Sequence, residues 1–594
     1  MSEQETSRHE EHPLLTQHAM LVVWGAYAQQ LGLVKALEQV ELSQQCRTHR
    51  PQTKIIEFLV AILAGLPHLQ DLSRSAHPLV RDQAVAEAWG QLAWADYSGV
   101  SRTLQSLGDE EVAAIAEAID AISQPFIDLE GERAVASAGR LVYDADLTGR
   151  PISNTSTTYP DTAFGYMGDT VSLGYQAALV TLHSPTYGRL WLANQLHPGD
   201  TVSATQAEAL VRVAEARTGR RPRRRTGLVA ARLAAEEAAL AAAETAYDAA
   251  YEMQQSASER ANETKLELAE WSGEQLGLER EYQRADRPLT AHCKLARARR
   301  KVATYEKRLP RTEKALVMAE RHLARCERKL EAASDEVDRL RQHHQQLLAD
   351  NERNPHPVQA LFRIDGGFAS QENITWLIEM GYDVDTKARS TRVRDDLIAA
   401  LTPETVWQRV GGNAALTPWA KTTANGYFPY PVDLALARYQ TGQTVRHSVL
   451  VHYGEDDATA DLEGWFHRYN SRQTIEAGIK EGKNVFQMHH LKVRSAQALL
   501  LQEHFACFAA NFVRFAAHWL TAQQQLHQPP FNTRSVKQMV QVCAHTSAWV
   551  QRLGDVWLLT FTEQSLFAGS SLQVGIGTIQ LPLPFVRGIH FCHF

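Results

Sequence analysis

Tyr469, Arg472, Glu476 and Lys483 follow the spacing Y-x2-R-x3-E-x6-K. At about 100° per residue, all four fall on one helical face within roughly 60° of arc. Such a face carries one hard oxygen ligand for a divalent cation, flanked by cations suited to phosphate. Arg472 can also pair with Glu476 one turn on. Gly478 and Gly482, each costing about 1 kcal/mol inside a helix, would let a DNA backbone approach closely. The alternative for this pattern is an exposed, salt-bridged helix.

Two more carboxylates stand out by position. Asp146 follows the strand-like run Leu141-Val142-Tyr143, and Asp365 ends the run Ala360 to Ile364, ahead of Gly366-Gly367. Two Mg²⁺ ions about 3.5–4 Å apart need carboxylates of this kind, gathered from distant segments, to promote attack of water or a 3′-hydroxyl on a phosphodiester. Mn²⁺ suits the same donors. Asp144 shares a strand face with Asp146 and competes with it as the first ligand. The chain has 68 acidic residues, so the spacing around Glu476 is the more specific signal.

With these segments side by side, the chain resembles bacterial insertion-sequence transposases of the DDE type, in the subgroup marked by a Y-R-E-K signature. Asp144-Ala145-Asp146-Leu147-Thr148 is similar to the family's first-aspartate segment, in which the catalytic Asp precedes x-Thr and which therefore favours Asp146. Leu196 to Thr201 resembles its "PGN" turn, with Asp200 where Asn is usual, and Arg363 to Phe368 resembles its second-aspartate segment. The resemblance covers about residues 140–215 and 360–520. It implies an RNase H-like catalytic core using Asp146, Asp365 and Glu476 with two Mg²⁺ ions, and Tyr469, Arg472 and Lys483 on DNA. It further implies double-stranded DNA as partner, both element ends and target, bound by a homodimer or higher oligomer. Aromatic residues in 383–458, or Trp465 and Tyr469, would stack on a flipped base, the alternative for them being a place in the core. A DDE-fold nuclease without strand transfer needs the same residues, and a domesticated, non-catalytic coiled-coil scaffold needs none of them.

The elements that must position these residues read as a multidomain α+β chain. Residues 1–15 form a polar, disordered tail, and 16–139 a helical DNA-binding domain with apolar residues at helical spacing. In the latter, Ser98-Gly99 reads as a cap and turn before a short helix bearing Arg102, Thr103 and Gln105, as in a helix-turn-helix. Residues 140–227 form the first part of the core, with three antiparallel strands and then a helix over 205–216. A loop cluster of Arg217, Arg220, Arg221, Arg223, Arg224 and Arg225 follows as a positive patch.

Residues 228–350 are rich in Ala, Glu, Arg, Leu and Gln. Leu316, Leu323, Leu330, Val337 and His344 recur every seven residues, interleaved with Ala319, Cys326, Ala333, Leu340 and Leu347. That is the seam of a coiled coil, and Asp286-Arg287-Pro288 divides it into an antiparallel hairpin whose arms reach on the order of 80 Å. Pro310 should kink or break the returning arm. Residues 229–286 carry thirteen acidic and five basic side chains, whereas 287–311 carry nine basic and one acidic. This makes a positive tip, with Arg297, Arg299, Arg300 and Lys301 at its centre and DNA as its partner.

The second part of the core spans 351–382, a β-rich insertion 383–458, the third part 459–525 and an α/β appendage 526–594. The 61 Lys and Arg against 68 Asp and Glu give a net charge of −7, so only local concentration of cations can serve DNA. No signal pattern or unbroken apolar span is present, which gives no membrane partner, and six scattered cysteines without a CxxC pair fit a reducing cytoplasm; the resemblance implies a bacterial nucleoid setting.

Overall fold

The computed structural model describes residues 12–45, 48–421, 426–523 and 531–575, in two compact units: Arg224–Pro355, and the remainder of the chain on either side of it. The smaller unit is two helices of 59 residues each, numbered α9 (Thr226–Arg284) and α10 (Lys294–Glu352) in the scheme below. The heptad positions explain their pairing, because Ala319, Cys326, Val337, Leu340 and Leu347 are buried at the seam. Arg232–Glu336, Arg341–Glu237 and Lys265–Glu313 ion pairs fix the antiparallel register. Pro310 does not break the returning arm, since α10 runs through it. Cooperative seam packing on both sides outweighs one missing amide donor.

In the larger unit, helices α1 (Ala19–Gln30), α2 (Leu33–Glu38), α3 (Pro51–Leu63), α4 (Asp71–Arg74), α5 (Gln83–Ala88), α6 (Tyr97–Gln105) and α7 (Asp109–Ala138) form the expected helical region. Their start signals are local: Pro51 opens α3, and the Asp96 carboxylate accepts the Gly99 N–H at 2.7 Å to open α6. The cap is thus Asp96, with Ser98 and Gly99 inside the helix. Arg102 is exposed on α6, but Thr103 is buried and unavailable to a groove. Residues 1–11 of the expected tail lie outside the described residues. Its end is ordered, because Leu14–Thr16 forms β1 and pairs with β12 (Ala548–Leu553) of the appendage.

That appendage sheet runs β1-β12-β13-β14, with β13 at Val556–Phe561 and β14 at Ser571–Gly575; the strand-like residues 576–579 lie outside the described residues. The large sheet comprises β2 (Arg140–Pro151), β3 (Ala163–Tyr166), β4 (Val171–Ser184), β5 (Gly188–Pro198), β6 (Gln359–Ile364), β7 (Asp383–Lys387), β8 (Gln408–Arg409), β9 (Ala414–Trp419), β10 (Asp433–Thr441) and β11 (Thr444–Tyr453). Its order is β3-β4-β2-β6-β7-β11-β10-β9-β8, with β5 also on β4. Only the β2–β6 and β6–β7 pairs are parallel. The β-rich insertion therefore extends the same sheet through β11, and is no separate layer. Gly165 and Gly199 meet where β3 follows on from β5, so closely that a Cβ on either would overlap backbone of the other segment. This is why the turn after Pro198 carries glycine.

Helices α8 (Ala207–Thr218), α11 (Gln371–Glu379) and α12 (Thr391–Ala399) accompany the strands. α13 (Leu462–Asn470), α14 (Gln473–Asn484), α15 (Ala496–Gln523) and α16 (Val536–Gln541) follow them in sequence. No helix among the described residues is long and apolar enough to cross a membrane.

One core group sets a pH dependence. Glu57 on α3 is fully buried and takes an N–H bond from Ala95 at 2.9 Å. Burial, only partly opposed by that bond, pushes its carboxyl up to about 8. Its folded-state value lies above the unfolded one, so the stability tied to its proton is complete below about pH 4.5 and lost as pH rises through about 8. Glu57→Gln should therefore gain about 2–4 kcal/mol over wild type at pH 8.5, shrinking to within about 1 kcal/mol at pH 5, measured as the shift in urea unfolding midpoint.

Candidate active site

The strand registers place the charged residues in two rows. Asp144 on β2 lies opposite Arg363 on β6, Arg363 opposite Asp385 on β7, and Asp385 opposite His452 on β11. Two residues further along the same strands, and so on the same face, stand Asp146, Asp365 and Lys387. Parallel pairing of β2, β6 and β7 is what brings the two aspartates side by side, across more than 200 residues of chain.

The first row is a buried foundation. Asp144, Arg363, Asp385 and His452 are 1, 3, 0 and 0% exposed. Arg363 holds Asp144 through two bonds of 2.6 and 2.8 Å, and its remaining donor reaches the Arg468 carbonyl at 2.9 Å and the Ser471 hydroxyl. Asp385 accepts from Arg468 at 2.7 Å and lies 2.7 Å from His452 Nδ1. Burial raises the Asp144 pKa, opposed by Arg363. Burial also works to raise Asp385, but His452 and Arg468 together hold it below the ordinary range. Asp144, the competing first ligand, has both its oxygens engaged by Arg363.

The foundation also positions the helices above it. Tyr469, Arg472, Glu476 and Lys483 do not lie on one continuous helix as the spacing suggests. Tyr469 is the penultimate residue of α13, which ends at Asn470, and Arg472 is the N-cap of α14, with Ser471 between the two helices. Arg468 and Ser471 hold this break to Asp385 and Arg363, and the Thr474 hydroxyl reaches Asp144 at 3.3 Å. Glu476 is thereby set over Asp146. Gly478 and Gly482 turn to Arg189, Trp191 and Met488, so their missing side chains let α14 pack onto β5 rather than admit DNA.

At the upper row, the Arg472 guanidinium stands between Asp146 Oδ2 (3.2 Å) and Glu476 Oε1 (2.8 Å). Asp365 accepts the Gly367 and Phe368 N–H groups at 2.9 and 3.2 Å, which fixes it at the turn after β6. Burial pushes Asp146 up to about 6, with the Arg472 charge opposing and the Asp365 charge adding to the shift. Burial disfavours the charge on Arg472, but Tyr469, Asp146, Asp365 and Glu476 together raise its pKa. Two carboxylates thus share one guanidinium, and the third, Asp365, feels its charge. They are hard oxygen donors of the kind Mg²⁺ takes, although no group of three or more His, Cys, Asp or Glu closes on one point as a metal cage among the described residues.

Lys387 was not singled out from sequence. It ends β7 with its ammonium 5.4 Å from the ring centres of both Tyr439 and Tyr469. The one signal available was its place at the end of a strand following the Asp365 helix. Lys483, two turns beyond Glu476, feels Arg150 and Asp146 and is half-buried; burial and then Arg150 lower its pKa. Tyr469 is 4% exposed and Trp465 lies in the same core cluster, so neither is a surface platform for a base.

The other cations expected on DNA are distributed differently. Arg217 and Arg220 pair with Asp120 and Glu132, and Arg224 is buried against Asp350. Arg221 and Arg225 are half-buried, leaving Arg223 exposed, so the loop is not the open positive patch expected. On α10, Arg299 pairs with Glu279, Lys301 lies over Trp271 and Tyr305, and Arg297 and Arg300 are exposed without ion pairs among the described residues.

No protein-family model matches the chain, and no curated protein matches it.

Breaking a buried pair strands its partner. Arg363→Met should cost about 3–5 kcal/mol by leaving Asp144 uncompensated, and adding Asp144→Asn should restore a large part of it, measured as a double-mutant cycle in urea.

Proposed function

We propose that this chain is a DDE-type DNA transposase that binds the terminal inverted repeats of its own mobile element and carries out metal-dependent strand cleavage and strand transfer. The observation that carries the reading is the convergence of Asp146, Asp365 and Glu476 around Arg472. Three segments far apart in sequence supply them, and a purely structural role would not gather acids of which one, Asp146, is raised by burial and further by the charge of its neighbour Asp365. The strand order β5-β4-β2-β6-β7, with three parallel strands beside an antiparallel pair, supports an RNase H-like core with Glu476 on a helix over it.

Asp146, Asp365 and Glu476 would hold Mg²⁺, which when bound supplies an activated water or 3′-hydroxyl and stabilises the leaving oxygen. The chain's own residues do the rest. The Gly367 and Phe368 amides orient Asp365, and Arg472 offsets the repulsion between Asp146 and Glu476. Lys483 adds positive potential beside Asp146 for the phosphate backbone. Arg297 and Arg300, exposed on the hairpin, offer sequence-independent contact to flanking DNA. Assembly as a dimer or higher oligomer on two ends belongs to the same reading.

The test is a cleavage and joining assay with labelled element ends and a plasmid target in Mg²⁺. Wild type should nick and join, whereas Glu476→Gln should bind the ends yet cut at least about a hundredfold more slowly, a barrier increase of about 2.7 kcal/mol. Cutting without joining would favour a nuclease, and equal inactivity of both proteins with intact binding would favour a scaffold.

A further inference from the structure

Lys387 extends the upper row by one strand, beside the two aspartates. Its register position on β7 continues that of Asp146 on β2 and Asp365 on β6, and its Cβ lies 3.9 Å from where a Cβ on Gly366 would stand. The ammonium is half-buried and held over two tyrosine rings, one of them Tyr469 in the last turn of α13. Burial and the neighbouring Arg472 charge lower its pKa, while Glu476 and Asp365 work the other way. Among the described residues it makes no ion pair and no side-chain hydrogen bond.

That combination needs a reason. Taking an ammonium partly out of water is costly, and two carboxylates stand close enough to influence it, yet it closes on neither. Arg472, by contrast, is committed to Asp146 and Glu476. The ring faces hold the lysine in place without consuming its three donors, which a carboxylate partner would do. A cation kept this way, on a rigid strand end next to Asp365, is suited to an anion that arrives from outside. The acids would repel that anion unless a cation offsets them. Lys483 does this on the Asp146 side of the row, leaving the Asp365 side to Lys387.

We infer that Lys387 is a phosphate-binding residue of the site, its ammonium contacting a non-bridging oxygen of the phosphodiester to be cut. The inference rests on the reading of the chain as a DNA-cutting enzyme and adds a contact outside the Y-R-E-K spacing. No bond is made or broken by the lysine; it holds the phosphate beside Asp365 while the acids serve the reaction.

The test measures equilibrium binding of the full chain to a duplex carrying the element's terminal repeat. A second duplex has a single uncharged methylphosphonate at the cleaved position. Lys387→Met should weaken binding of the normal duplex about tenfold and lower the slope of log affinity against log salt by about 0.9, the share of one phosphate contact. Lys387→Arg should keep most of the affinity. The methylphosphonate should weaken wild type by a similar factor and have no further effect on Lys387→Met, a non-additivity that a merely structural lysine would not produce. If the two losses multiply, or Lys387→Met binds with wild-type affinity and slope, the inference fails while the transposase reading stands. If wild type does not bind the repeat at all, both fail. The wild-type measurement with the modified duplex needs no variant to fold, and if the methylphosphonate leaves its affinity unchanged the contact does not exist.

Discussion

Arg363 is the residue on which the site depends. A guanidinium has five donors in a rigid plane, and here they are shared between a carboxylate on the neighbouring strand and the chain turn above the sheet. One buried side chain therefore fixes the β2–β6 register and the break between α13 and α14. Asp385, paired with His452 and Arg468, repeats the arrangement one strand over. Buried charges are tolerated because each has a partner of opposite sign or a hydrogen bond, and the same requirement makes the geometry specific.

The upper row follows from the lower one. Side chains on a strand alternate in direction, so residues two positions beyond Asp144, Arg363 and Asp385 must share their face. Those residues are Asp146, Asp365 and Lys387, further along the same face at the more solvated strand ends. Below, charges are neutralised inside the protein. Above, Asp146 and Glu476 share Arg472, and Lys387 lies over two rings. The hairpin is built on other physics, a periodic apolar seam with ion pairs along its flanks, and it holds together as a unit of its own.

Much of this was legible in local patterns. The heptads marked the hairpin, alternating and β-branched runs marked most strands, and Ser370 marked the start of α11 with its hydroxyl bonded to the Asn373 amide. Asp146 and Asp365 stood out because they followed strand-like runs, and Glu476 by its spacing from Tyr469, Arg472 and Lys483. The misreadings share a cause. Tyr469 to Lys483 looks like one helix face because spacing is blind to a two-residue break at Ser471 and Arg472, and that break is held by Arg363 and Arg468, whose partners are distant in sequence. The arginines at 217–225 look like an open patch because composition cannot show that Asp120, Glu132 and Asp350 meet them.

The sequence by itself determined the periodicities, the caps and the identity of the acidic and basic residues, since these depend on neighbours within a few positions. Tertiary structure alone decided which acids face one another, that Arg363 pairs with Asp144 and Arg472 with Asp146, and that Lys387 stands beside Asp365. The physical reason is that strand pairing and burial are long-range. A carboxylate two residues from another acquires a different role when a guanidinium from 219 positions away neutralises one of them and not the other.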